Sequence, residues 1–204
     1  MNNYDKTTQW AKAHFLDYDP RQILTRPGIQ AGDPWYRYRF LGTDCQIHRY
    51  TGEMIFSLGG ERWTAGFAET LSVYDRLCDG KPQARAAGEY CPVSSLPGVL
   101  VGGSGGLVME HPALAAKIDH EPERFCQACR MLGGQPVPMG DLGFQLPVFP
   151  DLAMQLKFYH ADEEFPPSLT LMWDRNTLDF VRYETVYYIA SALSLRLERL
   201  LAQQ

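Results

Sequence analysis

Between residues 160 and 167 the chain reads His160-Ala161-Asp162-Glu163-Glu164-Phe165-Pro166-Pro167, which gathers one imidazole and three carboxylates in a short run. In extended backbone alternate side chains share a face, so His160 and Asp162 would point the same way. Such a pair can chelate a divalent metal, and hard oxygens with one nitrogen suit Mn, Fe or Zn better than Ca. Glu163 or Glu164 would then act as general base toward a metal-bound water. The same residues also compose an acidic, solvated hairpin turn closed by the proline pair. Both readings stand on the sequence.

Cys126-Gln127-Ala128-Cys129 has the C-x2-C spacing of zinc and redox sites. No second such pair accompanies it, and helical spacing puts Cys129 in an apolar stripe where a thiol packs as a small hydrophobe. As a metal or redox site it would need His120, Cys91 or Cys45 as a further ligand. The glycine string Gly102-Gly103-Ser104-Gly105-Gly106 lacks the Gly-Lys-Ser/Thr ending of a phosphate loop, and none of Ser94, Ser95 and Ser104 sits in a nucleophile elbow. Asp174, in Trp173-Asp174-Arg175-Asn176-Thr177, can shape a turn through its own side chain. Glu184 places acidic charge at the start of a helix, as the macrodipole prefers. If the sheet brings Asp174 and Glu184 beside residues 160–164, they become additional oxygen ligands or ion-pair partners. Tyr183, Tyr187 and Tyr188 would then form an aromatic wall.

The elements that would position these groups follow from periodicity. Residues 3–18 read as a helix. From Tyr36 to Phe56 the period becomes two, with turn residues at Gly42-Thr43-Asp44 and Thr51-Gly52, which predicts an antiparallel meander of about three strands. Residues 64–78 return to helical spacing through Phe67, Leu71, Tyr74 and Cys78. Residues 79–106 are rich in Gly and Pro and read as a long loop, a lid or a pair of short edge strands. Helices are expected from Pro112 and from Pro122, the latter stopping at Gly133-Gly134. Strands are expected at 142–148, at 152–160, and through Leu169, Leu171 and Trp173, so residues 161–167 connect a hairpin. Val186, Ile189, Ala190, Leu193, Leu197, Leu200 and Leu201 make one stripe of a final helix over 183–203. Runs of strands with helices at intervals predict an α+β fold with a mostly antiparallel sheet, as one domain spanning 1–204.

Composition narrows the partners. The 204 residues carry 19 Lys+Arg against 24 Asp+Glu, a net charge of −5, and no Lys/Arg run longer than two residues. Nucleic acid and anionic membrane require a basic face, so neither is an expected partner. No stretch approaches the roughly 18 continuous apolar residues of a membrane-spanning helix. The polar opening Met1-Asn2-Asn3-Tyr4 leads into no apolar leader, and the five cysteines are an odd number. Reduced thiols and a cytoplasmic location are the expectation.

Several runs have a familiar pattern: Phe149-Pro150, Asp162-Glu163-Glu164-Phe165-Pro166, Trp173-Asp174 with Asn176-Thr177, and Tyr183-Glu184-Thr185. Together with Leu71-Ser72-Val73-Tyr74-Asp75-Arg76-Leu77-Cys78 and Ala128-Cys129-Arg130-Met131-Leu132-Gly133-Gly134, they resemble the family known as domain of unknown function 3786. The resemblance covers most of the chain, and the Asp-Glu-Glu-Phe-Pro element is its most specific piece. It implies an anaerobe's cytoplasm and a single domain. Some relatives carry a four-cysteine iron–sulfur domain ahead of this one, which nothing here matches. The resemblance implies no reaction.

Three functions are therefore weighed. The first is a module for a small-molecule ligand or cofactor in anaerobic metabolism. The second is a protein-interaction domain docking a protein partner through residues 79–106. The third is a metal-dependent enzyme using His160, Asp162 and the adjoining glutamates. Oligomeric state leaves no trace in the sequence.

Overall fold

Alternation between Trp35 and Thr64 becomes a meander in the structure, a computed structural model that describes residues 3–98 and 111–202. Its strands are β1 (Trp35–Phe40), β2 (Thr43–His48), β3 (Met54–Leu58) and β4 (Glu61–Thr64), paired antiparallel in the order β1-β2-β3-β4. Tyr36, Tyr38, Phe40, Cys45, Ile47, Met54 and Phe56 form its buried face, while Arg37 and Arg39 look outward. The sheet has one strand more than expected. At four residues, with only Trp63 half-buried, β4 shows too little alternation to be read. Gly59 and Gly60, both at positive φ, make the tight turn into it.

The second sheet takes four of its five strands from the C-terminal half and runs in the order β5-β9-β8-β7-β6, antiparallel throughout. Its strands are β5 (Tyr90–Pro92), β6 (Gln135–Pro136), β7 (Leu142–Phe149), β8 (Leu152–Tyr159) and β9 (Ser168–Asp174). One edge strand, β5, emerges from the Gly/Pro-rich segment, followed by a short 3-10 turn at Val93–Ser95. The glycine string at 102–106 lies outside the described residues. Both observed sheets are antiparallel, with helices at intervals along the chain that pack on one another and on the second sheet, giving the α+β fold.

The helices are α1 (Asn3–Asp17), α2 (Pro20–Ile23), α3 (Phe67–Tyr74), α4 (Pro112–His120), α5 (Pro122–Met131), α6 (Thr177–Phe180) and α7 (Tyr183–Ala202). The expected helix over 64–78 divides: Gly66 holds α3 back to Phe67, and α3 then widens into a π-helical turn at Asp75–Asp79. Such π turns are rare and occur mostly as single turns continuing an α-helix. Here it buries Asp75, Arg76, Leu77 and Cys78. α7 presents Val186, Ile189, Ala190, Leu193, Leu197 and Leu201 to the core, packing on α3 and α5. Each such fully buried aliphatic chain contributes about 1.5–3 kcal/mol.

The two sheets meet at the β1–β2 corner. Leu41 N–H donates to the Val148 carbonyl (2.8 Å), and Phe40 stacks on Phe149 at 5.4 Å between centroids. Gly42 turns this corner at φ +68°, where an added Cβ would stand 1.9 Å from the Leu132 carbonyl oxygen. Arg196 of α7 clamps the corner from below. Its guanidinium donates to the Phe40 and Leu41 carbonyls and to Glu69, and lies within 5.6 Å of the Phe40, Phe56 and Trp63 ring centroids.

Candidate functional site

β8 delivers His160 to the surface at its C-terminal end, and the β8–β9 connection carries the acidic run. The chain leaves the strand at Tyr159, because two aspartates from elsewhere take hold of His160. Asp119, in the last turn of α4, accepts from the imidazole: His160 Nδ1 lies 2.6 Å from its Oδ1. The same oxygen takes the Ala161 N–H at 3.3 Å. Asp141 Oδ2 accepts the His160 N–H at 2.8 Å, and Asp141 N–H in turn donates to the Phe158 carbonyl. Gly140 makes that approach possible. At φ +62° its Cβ position is 2.4 Å from the Phe158 carbonyl oxygen, so a side chain there would push Asp141 away.

Asp162 turns inward on its own loop. Its Oδ1 accepts from the Glu164 and Phe165 N–H groups (2.8 and 2.7 Å), and its own N–H donates to the Phe165 carbonyl. This is the local side-chain turn that aspartate favours. His160 thus faces Asp119 while Asp162 faces backbone amides, and the pair does not share a ligand-facing geometry. Glu163 and Glu164 are exposed. Among the described residues no group of three or more His, Cys, Asp or Glu side chains is placed to hold a metal ion.

Around these residues opens a cleft of about 560 Å³ lined by Asp141, Tyr159, His160, Asp162, Phe165 and Ser168, with Ala161 and Pro166 completing it. Tyr159 and Phe165, 45% and 65% exposed, set two rings at the mouth of this cleft. The imidazole is packed edge-on to Phe158 at 5.1 Å, which with Asp119 fixes its plane. His160 holds the Asp119 carboxyl below the usual carboxylate range, chiefly through their hydrogen bond, with the Ala161 N–H and the His120 charge adding to it.

Asp174 and Glu184 lie elsewhere. β9 spans Ser168 to Asp174, roughly 20 Å at about 3.3 Å per residue, and the cleft is at its Ser168 end. Asp174 is fully buried and accepts from the Ala87, Gly88 and Asn176 N–H groups (3.0, 2.7 and 2.8 Å). It fastens the segment ahead of β5 and shapes its own exit turn. Glu184 is exposed in the first turn of α7, on the chain that leaves the Asp174 end of β9. Tyr183 and Tyr187 share a 2.6 Å hydroxyl contact on that same helix.

Both thiols of the C-x2-C pair are free. Cys129 is buried in the core and burial pushes its thiol well above the usual range, with the neighbouring Cys126 reinforcing the effect. A thiol held protonated is a poor nucleophile and a poor metal ligand.

A family model described as a domain of unknown function, DUF3786, matches residues 19–196. The chain belongs to this family. Comparison with curated proteins and with solved structures finds no match. The DUF3786 match takes in Asp119, Asp141 and the whole His160–Ser168 cleft, and its last residue is Arg196, the clamp beneath the sheet junction. Helix α1 falls outside it. Within this DUF3786 domain no described helix is long and apolar enough to cross a membrane.

Sequence reading missed Asp119 and Asp141, since neither is near His160 along the chain, and did not single out Tyr159 and Phe165 as site residues. Asp119 did leave a signal. A carboxylate in a helix's last turn opposes the macrodipole, and such a placement calls for a cationic or donor partner nearby.

Proposed function

We propose that this domain binds a small organic cation in the cleft at the β8–β9 turn. The observation that carries the proposal is the cleft's lining: two carboxylates and two exposed aromatic rings, with His160 as its only basic side chain. Asp141 and Asp162 each commit one oxygen to a backbone N–H, and the other oxygen of each remains for a ligand. Phe165 supplies a ring face and Tyr159 a second ring, which already draws the Lys157 ammonium to 5.4 Å from its centroid, and such faces attract ammonium groups. Asp119 orients the His160 ring through Nδ1, so that Nε2 is the nitrogen left to meet a ligand's polar end. The volume is within the roughly 300–1,000 Å³ common to small-molecule sites. His160, Asp162, Asp141, Tyr159 and Phe165 are the binding residues, with Asp119 as the positioning residue behind His160.

Thermal unfolding in the presence of tetramethylammonium, choline or agmatine, with acetate and benzoate as controls, tests this reading. A cation that fits raises Tm saturably, because ligand at a hundredfold excess over its Kd adds about 2.7 kcal/mol to stability. In Tyr159→Ala/Phe165→Ala the rise is lost. A protein indifferent to all three cations, or responding equally to acetate, contradicts the proposal.

A further inference from the structure

A histidine's two ring nitrogens differ in what they offer a ligand, and the fold decides the assignment at His160. Asp119 Oδ1 stands 2.6 Å from Nδ1 and takes the Ala161 N–H as well. The Asp119 carboxyl is held below the usual carboxylate range, chiefly by the hydrogen bond from His160, so it is ionised and can only accept. Only a hydrogen on Nδ1 makes that contact attractive. A neutral imidazole carries one N–H and one lone pair, so the lone pair falls on Nε2. The ring, fixed in plane by Asp119 and by Phe158 edge-on at 5.1 Å, lines the cleft. Nε2 is therefore an acceptor of known place.

Donors along the same wall are already spent. The His160 N–H goes to Asp141 Oδ2 at 2.8 Å, and that of Ala161 goes to Asp119. Asp162 gives its N–H to the Phe165 carbonyl, while Glu164 and Phe165 give theirs to Asp162 Oδ1 at 2.8 and 2.7 Å. Five of the six backbone amides from His160 to Phe165 are thus committed, and Pro166 has none to give. Lys157 draws its ammonium to 5.4 Å from the Tyr159 ring centroid and is outside the cleft's lining. What meets a ligand is a set of acceptors: the second oxygens of Asp141 and Asp162, and His160 Nε2. The Tyr159 and Ser168 hydroxyls can act either way. A ligand carboxylate would set oxygen against oxygen and charge against like charge, whereas a ligand hydroxyl can donate.

Resting on the cation-binding reading above, we propose that the ligand is an amino alcohol. Its ammonium group lies among Asp141, Asp162 and the two rings, and its hydroxyl donates to His160 Nε2. His160 is then the residue that sets specificity, separating amino alcohols from amino acids and betaines, which carry a carboxylate in the hydroxyl's place. Asp119 acts through it, as the positioning residue that keeps the proton on Nδ1.

The test is calorimetric titration of the full chain at about pH 8, where an imidazole is ordinarily neutral. The probes are choline, ethyltrimethylammonium and glycine betaine, which share a trimethylammonium head and differ in the other end: a hydroxyl, a hydrogen in its place, or a carboxylate. Choline is expected to bind about fivefold more tightly than ethyltrimethylammonium, the worth of one hydrogen bond to a neutral acceptor. Betaine is expected to bind more weakly than either. In His160→Phe the hydroxyl loses its acceptor, and choline and ethyltrimethylammonium bind alike. Should that variant fail to fold, the wild-type comparison decides. Equal affinities for choline and ethyltrimethylammonium overturn the amino-alcohol proposal and leave the cation site standing. So does betaine binding as tightly as choline, or a choline advantage that persists in His160→Phe. If none of the three binds, the cation reading fails and this proposal fails with it.

Discussion

Asp119 and His160 form the contact on which the cleft turns, and its pH dependence has a definite sign. A carboxyl whose folded-state pKa is depressed stays ionised where the unfolded chain's copy, titrating near about 4, has taken a proton. It therefore contributes stability above that range, lost as pH falls through the folded-state value. The urea midpoints of wild type and His160→Ala are expected to differ near pH 5 and to converge as pH drops below the carboxylate range. A gap that widens as pH falls from about 5 through the carboxylate range would contradict the pairing. Arg196 makes a larger claim. It is 4% exposed, and its removal leaves Glu69, which also caps the α3 N-terminus through Gly66 N–H (3.0 Å), without its counter-charge. Arg196→Ala is expected to cost about 3–5 kcal/mol in urea unfolding, as breaking a buried ion pair does. A loss under about 1 kcal/mol would show the clamp to be incidental. Of these residues only His160 and Asp162 announced themselves in the sequence, because their spacing is local. Asp119 meets His160 across 41 positions of chain, and no periodic pattern encodes such a meeting.

Elements were legible wherever one face is buried over several turns or alternations. β7, β8, β9 and α7 fall within a residue or two of their expected bounds, because each carries a continuous apolar stripe. β4 and β6 escaped notice for the opposite reason: they are short edge strands with little buried surface. The π turn at Asp75–Asp79 is invisible to a 3.6-residue template, since Cys78 still falls on the expected face. Hairpin registers, too, place the candidate residues at this scale. Pairing Tyr159 with Ser168 puts the acidic loop at one end of β9 and Asp174 at the other, which separates residues that proximity in sequence had grouped. The central role of α7 is directly measurable. Leu197 is fully buried, so Leu197→Ala is expected to cost about 2–5 kcal/mol, and an effect under half a kcal/mol would remove α7 from the core.

At the scale of the whole molecule, one hydrophobic cluster runs from Phe15 of α1 through both sheets to Leu201 of α7, and the Leu41–Val148 hydrogen bond ties the sheets together. The order of strand and helix patterns foretold the class of fold but not this junction, because Leu41 holds its positive φ of 49° only where β7 and α7 meet it. The open cleft at the β8–β9 hairpin lies apart from the buried Arg26 and Arg76, which bond to the π-helical turn and to Asp151 of the β7–β8 turn. We propose the open cleft as the place where a small organic cation binds. The most direct measurement is an amide chemical-shift titration of the 15N-labelled protein with choline. Saturable shifts concentrated at Asp141 and residues 159–168, absent in Tyr159→Ala/Phe165→Ala, are the expected result. Shifts that fall elsewhere, or that persist in the double variant, would contradict it.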